Sequence, residues 1–156
     1  MIDLDIPGRG AIRLEHLVLD VNGTIAKDGR LIDKAVKPLN TLKDRLTIHL
    51  LTADTYGKQD SIDVLLGLKA VRLKRGNEAE QKADYIRGLG AEKVVAAGNG
   101  ANDAGMLKAA VIGIAVLGEE GLAVEALQAA DILVPGVVEV FNLLEFPTRL
   151  IATLRK

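Results

Sequence analysis

The stretch His-Leu-Val-Leu-Asp-Val-Asn-Gly-Thr, residues 16–24, decides the fold of this 156-residue chain. It begins as an apolar run, places a carboxylate at Asp20, and then turns through Asn22-Gly23. Open α/β sheets hold their reactive groups where a buried strand ends and a glycine-containing turn begins. We therefore expect Asp20 to lie at the carboxyl end of a parallel strand.

Strand-like and helix-like patterns alternate along the rest of the chain. Residues 2–20 predict an antiparallel hairpin that leads into a buried strand, and residues 25–32 predict a second small hairpin. Apolar spacing over 36–46 predicts a helix with Pro38 in its first turn. Further strands are expected near 47–51, 70–73, 93–97, 111–117 and 132–134. Further helices are expected near 57–67, 78–89, 102–110, 121–130 and 137–154. This alternation predicts a doubly wound parallel α/β sheet covered on both faces.

Composition narrows the classes of protein to consider. Hydrophobic residues make up 49% of the chain, enough for a full core, and we expect one domain over residues 1–156. The net charge of −1 gives no electrostatic reason to expect a nucleic acid or an anionic membrane as partner. Aromatic residues, at 3%, are too few for a platform that stacks bases.

The absence of cysteine excludes disulfides and thiolate chemistry. The longest apolar run, 109–118, is too short to span a bilayer, and the N-terminus lacks the basic region of a signal peptide. We therefore expect a cytoplasmic protein. His16 and His49 both fall in apolar strands, and we interpret them as core or edge residues rather than metal ligands.

Polar groups also follow two later strands. Leu-Leu-Thr-Ala-Asp occupies residues 50–54, and Ala-Gly-Asn-Gly-Ala-Asn-Asp occupies residues 97–103. Lys82 lies near the start of the predicted helix 78–89, where a cation is unfavourable for the helix dipole and a functional role is plausible. The carboxyl ends of parallel strands meet at one edge of a sheet, so these groups and Asp20 can form one site.

Together these four segments resemble the four motifs of the haloacid-dehalogenase-like phosphohydrolases, and specifically the phosphorylation core of P-type ATPases. Residues 98–107 are similar to the Gly-Asp-Gly-x-Asn-Asp-x-x-x-Leu hinge motif of those ATPases, and the resemblance covers roughly residues 15–135. It implies a haloacid-dehalogenase-like Rossmannoid core. The stretches 25–51 and 53–81 are too short for the cap domains that these families insert there, so we expect no cap and an open site.

The resemblance implies a Mg²⁺-dependent reaction through an aspartyl phosphate on Asp20, with Thr52 and Lys82 holding the phosphoryl group. Lys74 is the competing candidate for the lysine. The implied substrate-binding residues are Gly23, Thr24, Ala53, Asp54 and Asn102. The implied metal ligands are Asp20, the Asn22 backbone carbonyl, Asn99 and Asp103. The substrate would be a phosphorylated small molecule or protein, and the exposed hairpins could support a homo-oligomer.

Two positions depart from the family pattern. Asn22 stands where an acid–base aspartate is usual and cannot shuttle a proton, a function worth about 10²–10⁴ in rate. Asn99 stands where a metal-binding aspartate is usual, which lowers the negative charge available to Mg²⁺. We therefore expect slow turnover, and a non-catalytic phosphate or metal sensor is the alternative. A phospho-receiver domain is a more distant third hypothesis.

The segment Gly-Glu-Glu-Gly at 118–121 also differs from the ATPases, which carry small and hydroxylated residues there. If this loop lies at the site mouth, its acids discourage polyanionic substrates such as nucleotides. The alternative is a solvated loop that favours the start of the following helix.

Overall fold

A computed structural model describes residues 1–54 and 56–156 of the chain. The strands are β1 (Ile2–Ile6), β2 (Gly10–Leu14), β3 (His16–Asp20), β4 (Ala26–Lys27), β5 (Arg30–Leu31), β6 (Thr47–Thr52), β7 (Val71–Arg72), β8 (Val94–Gly98), β9 (Ile112–Val116) and β10 (Ile132–Val134). The helices are α1 (Asp33–Leu42), α2 (Gln59–Leu66), α3 (Glu78–Leu89), α4 (Ala104–Ala109), α5 (Val124–Ala129), α6 (Val137–Glu145) and α7 (Pro147–Leu154). Short 3₁₀ turns at Ala91–Lys93 and Ala101–Asp103 flank β8.

A six-stranded sheet in the order β10-β9-β8-β3-β6-β7 forms the centre of the fold, and every pairing in it is parallel. The chain extends the sheet from β3 through β6 to β7 and then returns to add β8 on the other side of β3. The strand order thus reverses beside β3, and open α/β sheets bind their ligands at such a point. The predicted doubly wound parallel sheet is confirmed.

Side chains of β3 alternate between two hydrophobic clusters, one on each face of the sheet. Leu17 and Leu19 belong to the larger cluster, which α1, α2, α6, α7 and the β1–β2 hairpin cover. Val18 points to the smaller cluster, which α3, α4 and α5 cover. Burial on both faces explains why the central strands are continuous apolar runs rather than alternating ones.

Two helix predictions are corrected by the structure. Pro38 is the sixth residue of α1 and does not lie in its first turn, because the helix begins at Asp33. The carbonyl that its missing N–H would have contacted belongs to the exposed Lys34, where water can replace the bond. The single helix expected over 137–154 is two helices, since Pro147 cannot continue α6 and instead starts α7.

Both predicted hairpins are present, formed by β1 with β2 and by β4 with β5. The β4–β5 hairpin and α1 occupy the stretch between β3 and β6, and the described residues contain no separate cap domain. Within 1–54 and 56–156, none of the helices has the length and hydropathy needed to cross a membrane.

Candidate active site

Asp20, Lys82 and Asp103 form a buried ionic cluster at the carboxyl end of the sheet. The ammonium of Lys82 donates to Asp20 Oδ1 at 2.7 Å and to Asp103 Oδ1 at 2.6 Å. Asp20 is the last residue of β3, and Asp103 ends the turn after β8. The structure therefore brings together three residues that lie up to 83 positions apart in the chain (103 − 20).

Helix α3 directs a lysine inward rather than toward solvent. Lys82 is its fifth residue and shares the buried face with Ala83 and Ile86, and its side chain is 1% exposed. A lysine is almost never buried to this extent without charged partners. The competing candidate, Lys74, is exposed. Of the two candidate lysines, Lys82 is therefore the one that contacts Asp20 and Asp103.

The cluster changes the ionisation of its members. Burial, together with the charge of Asp103, raises the pKa of Asp20 to about 7, although Lys82 opposes this rise. Burial acts to lower the pKa of Lys82, but the two carboxylates more than compensate and raise it. With all three groups charged, the cluster carries a net charge of −1, which favours binding of an added cation.

Asp103 also fixes the turn that follows β8. Its Oδ2 accepts hydrogen bonds from the backbone N–H groups of Asn99 at 3.0 Å and Gly100 at 2.9 Å. A Cβ at Gly98 would lie 2.6 Å from the Asp103 carboxyl carbon, so only glycine leaves room for this carboxylate. The glycine of the motif is therefore a packing requirement.

The turn after β3 packs against Asn99. Gly23 has φ +82°, and a Cβ there would overlap the Asn99 amide. The Thr24 hydroxyl lies 3.4 Å from both Asp20 Oδ2 and Asn99 Oδ1, and its one proton can serve only one of them at a time. The Asn99 Nδ2 donates to the Gly121 carbonyl at 3.1 Å. Asn99 thus connects this turn with the loop 118–121. Asn22, in the same turn as Gly23, is half-exposed.

Thr52 and Asp54 organise the end of β6. Asp20 pairs with Leu51, so the buried Thr52 lies one position beyond Asp20 on the neighbouring strand. Its hydroxyl oxygen accepts the Asp54 N–H at 2.8 Å, and the Asp54 carboxylate accepts the N–H of Gln59 at the start of α2 at 3.1 Å. Asp54 therefore shapes the entry to a helix. Ala53 and Asn102 are exposed, and a substrate contact for these three residues stays a prediction.

The donor set fits Mg²⁺ only as a partial coordination sphere. Across 1–54 and 56–156, no three histidine or acidic side chains converge as a metal site. Both Asp103 oxygens accept hydrogen bonds, whereas Asp20 Oδ2 has a long contact of 3.4 Å with the Thr24 hydroxyl. Mg²⁺ commonly uses one or two carboxylates and completes its octahedron with water and substrate oxygens. The arrangement is compatible with that mode, centred on Asp20.

His16 and His49 form a separate hydrogen-bonded chain. His16 Nδ1 lies 3.1 Å from His49 Nε2, and His49 Nδ1 lies 2.9 Å from the Tyr85 hydroxyl. Burial and the neighbouring His16 lower the pKa of His49. Both histidines are half-buried, and these contacts agree with their interpretation as core or edge residues.

A cleft beside the turn Gly23–Thr24 was not anticipated from the sequence. It has a volume of about 650 Å³, and its lining includes Gly23, Thr24 and the acids Glu119 and Glu120. Residues 118–120 therefore border this cleft beside the turn after β3, and their effect on polyanionic substrates stays a prediction. The cleft is formed by residues that are distant in the chain, so the sequence could not predict it. The Gly-Glu-Glu-Gly segment at 118–121 was the local signal that this loop could lie near the site.

No protein-family model matches the sequence. The uncharacterized protein MJ0073 of Methanocaldococcus jannaschii is 37% identical over 92 residues, which cover 56% of this chain and 99% of that protein. The uncharacterized protein MJ0072 of the same organism is 46% identical over 39 residues, or 25% of this chain and 89% of that protein.

Solved phosphatase and hydrolase structures share the fold. The 3-deoxy-D-manno-octulosonate 8-phosphate phosphatase of Moraxella catarrhalis, in complex with magnesium, phosphate and KDO, superposes with a TM-score of 0.69 at 17% identity, covering 91% of this chain and 94% of that one. A putative haloacid dehalogenase (HAD) superfamily hydrolase of Legionella pneumophila superposes with a TM-score of 0.71 at 14% identity, covering 90% and 87%. The cobalt-bound phosphatase YrbI of Haemophilus influenzae gives a TM-score of 0.68 at 16% identity, covering 91% and 90%. The predicted haloacid-dehalogenase-like fold is confirmed, and the narrower resemblance to P-type ATPases stays a prediction.

Proposed function

Because the chain belongs to the same family as MJ0073 and has the haloacid-dehalogenase-like fold, we propose that it is a Mg²⁺-dependent phosphohydrolase acting through Asp20. The contact of Lys82 with both Asp20 and Asp103 carries this proposal. A buried carboxylate held by a fixed ammonium at a strand end is oriented for attack on an electrophile. The ammonium also supplies positive charge where phosphoryl oxygens would lie.

The first step is attack by a carboxylate oxygen of Asp20 on the phosphorus of a monoester. A P–O bond to Asp20 forms, the P–O bond to the alcohol breaks, and the leaving oxygen takes a proton from water. In the second step water attacks the aspartyl phosphate and releases inorganic phosphate, restoring the carboxylate. Lys82 and Thr52 hold the phosphoryl group through both steps.

Mg²⁺, when bound, supplies positive charge that neutralises the phosphoryl oxygens. Asp20 would be its principal anionic ligand, with the Asn22 carbonyl, Asn99 and Asp103 as the other proposed ligands. The present hydrogen bonds of Asp103 would have to rearrange for direct coordination, whereas the bond from Asn99 to Gly121 uses Nδ2 and does not involve Oδ1. We therefore propose that Mg²⁺ binds weakly and is held partly by the substrate.

Asn22 determines the expected speed of the reaction. Its amide can donate a hydrogen bond to the leaving oxygen but cannot deliver or remove a proton. Without general acid–base help, both steps lose about 10²–10⁴ in rate. A non-catalytic protein that binds phosphate or metal is the second candidate function, and the asparagines at 22 and 99 favour it.

The test is hydrolysis of p-nitrophenyl phosphate with Mg²⁺ and with excess EDTA. The wild type should be active only with Mg²⁺, Asp20→Asn should be inactive, and Asn22→Asp should be faster. Asp44→Asn, the same change at an exposed aspartate in the loop before β6, is the matched control and should equal the wild type. If neither the wild type nor Asn22→Asp turns over while both bind phosphate, the protein is a binding protein.

A further inference from the structure

The cleft borders the turn that follows Asp20, so it is a candidate site for the organic group of a phosphate monoester. Its lining includes Gly23 and Thr24, and the Thr24 hydroxyl lies 3.4 Å from Asp20 Oδ2. Its far wall contains the residues that follow β9 and the start of α6. Asp20, Thr52 and Lys82 are not among the lining residues, so Thr24 is the link between the Asp20 carboxylate and this volume of about 650 Å³. Cavities of this size hold small organic molecules.

Much of the cleft wall is apolar. The hydrophobic residues of its lining include Ile32, Leu117, Pro135 and Val138. Leu117 is 49% exposed, although it directly follows a fully buried strand. Large apolar side chains in a concave site beside polar groups are typical of surfaces that bind an apolar ligand.

Five charged residues line the cleft, and the acids outnumber the lysines by three to two. Lys27 pairs with Glu119, and Glu120 accepts a hydrogen bond from the Tyr56 hydroxyl at 3.2 Å. Glu139 folds back toward Gly136 at the start of α6, where the helix dipole favours a carboxylate. Lys34 is exposed at the rim. The three acids of the lining therefore disfavour a leaving group that carries several negative charges.

We propose, building on the phosphohydrolase function above, that the substrates are phosphate monoesters of uncharged, mainly apolar alcohols. The phosphoryl group lies at Asp20, Thr52 and Lys82, and the organic group lies against Leu117 and Val138. Nucleotides and polyhydroxylated alcohols are poor substrates, because their charges and hydroxyls lose water without gaining partners on this wall.

A homologous series of alkyl phosphates tests this assignment, since methyl, propyl and hexyl phosphate have leaving groups of similar acidity. Each methylene that enters the cleft should raise kcat/KM about fourfold. Hexyl phosphate should thus exceed propyl phosphate by about 60-fold. Glycerol phosphate, which has the carbon chain of propyl phosphate with two added hydroxyls, should be the poorer of that pair. Equal kcat/KM values along the series would overturn the assignment.

Leu117→Ser tests whether the wall recognises the alkyl chain. It should reduce the ratio of hexyl to methyl phosphate kcat/KM about tenfold or more. The matched control is Leu133→Ser, at a side chain that is 50% exposed on β10 and outside the lining of the cleft, and it should keep the wild-type ratio. If Leu117→Ser lowers kcat/KM by one common factor for every ester, Leu117 has only a structural role and the assignment is wrong.

Two further measurements separate failure of the cleft assignment from failure of the phosphohydrolase function. Acetyl phosphate has a small, activated leaving group, so its hydrolysis reports the Asp20 reaction alone. If acetyl phosphate is not hydrolysed, the phosphohydrolase proposal fails. Titration with hexylphosphonate and methylphosphonate in the presence of Mg²⁺ then still tests the cleft, because binding needs no turnover. The cleft assignment requires hexylphosphonate to bind at least tenfold more tightly, and equal affinities would refute it.

Discussion

Replacing Asp20 with asparagine should stabilise the metal-free protein at pH 8 while abolishing turnover. Burial and Asp103 raise the pKa of Asp20 from an ordinary value of 3.8 to about 7 in the folded state. Keeping this carboxylate charged above pH 7 therefore costs about 4 kcal/mol of folding free energy. Asparagine removes the charge and keeps one oxygen that can accept from Lys82. It does not reproduce a protonated carboxyl fully, so we expect a gain of about 1–3 kcal/mol.

The raised pKa of Asp20 determines how the stability of the wild type changes with pH. Between about pH 4 and pH 7 the folded protein binds more protons at Asp20 than the unfolded chain does, so stability falls as pH rises through this range. The pKa of Lys82 is raised above 10.5, so this group stays charged in both states and adds no slope there. The advantage of Asp20→Asn should therefore be smaller at pH 5, where about 40% of this proton-linked cost is present, than at pH 8, where nearly all of it is.

Urea unfolding in EDTA at pH 5 and pH 8 measures the difference. At pH 8 the melting temperature of Asp20→Asn should also rise by about 3–10 °C. Asp103→Asn is an informative comparison. The Asp103 carboxylate accepts hydrogen bonds from two backbone N–H groups and from Lys82, and an asparagine amide has only one oxygen to accept them. Asp103→Asn should therefore lower the free energy of unfolding by about 1–3 kcal/mol. A less stable Asp20→Asn at pH 8, or an equal gain at both pH values, would refute the reasoning.

Three further substitutions probe the cluster and its turn. Lys82→Met leaves two buried carboxylates without their cation and should cost about 3–5 kcal/mol in urea unfolding at pH 8, together with all phosphatase activity; a loss below 1 kcal/mol would contradict the buried ion pair. Gly98→Ala brings a Cβ against the Asp103 carboxyl and should cost about 1–3 kcal/mol, whereas Gly88→Ala on α3, where a Cβ meets open space, should not destabilise. Asn99→Asp restores a charge near Asp20 and should tighten Mg²⁺ binding by calorimetry about tenfold, while losing the hydrogen bond to Gly121; unchanged affinity would place Asn99 outside the metal site.

The central sheet and the buried cluster could be predicted because their signals are local. An apolar run with a polar residue at its end marks the edge of a parallel sheet, and this rule places Asp20, Thr52 and Asp103 on one side without knowledge of the packing. The resemblance to the phosphohydrolase motifs then implied that Lys82 joins them. The contacts of Lys82 with Asp20 and Asp103 agree with that role.

Features that depend on partners distant in the chain could not be predicted in the same way. The Asn99 amide donates to the Gly121 carbonyl and packs against Gly23. The Asp54 carboxylate accepts the N–H of Gln59 at the start of α2. Asparagine and aspartate also occur as metal or substrate ligands, so residue type alone did not reveal these structural contacts. The cleft wall combines Ile32, Leu117 and Val138, which only the folded arrangement of hairpin, sheet and helix brings together. The break before Pro147 had a local signal, but the apolar periodicity on both sides of the proline obscured it.

The most direct test of the account is to detect the phosphoryl group on Asp20. The protein is mixed with acetyl phosphate and Mg²⁺, quenched in acid, digested, and analysed by mass spectrometry with and without hydroxylamine, which cleaves acyl phosphates. The account predicts one added phosphoryl group on the peptide that contains Asp20, removed by hydroxylamine and absent with EDTA or in Asp20→Asn. Hydrolysis that persists in Asp20→Asn, or a phosphoryl group on another residue, would contradict it.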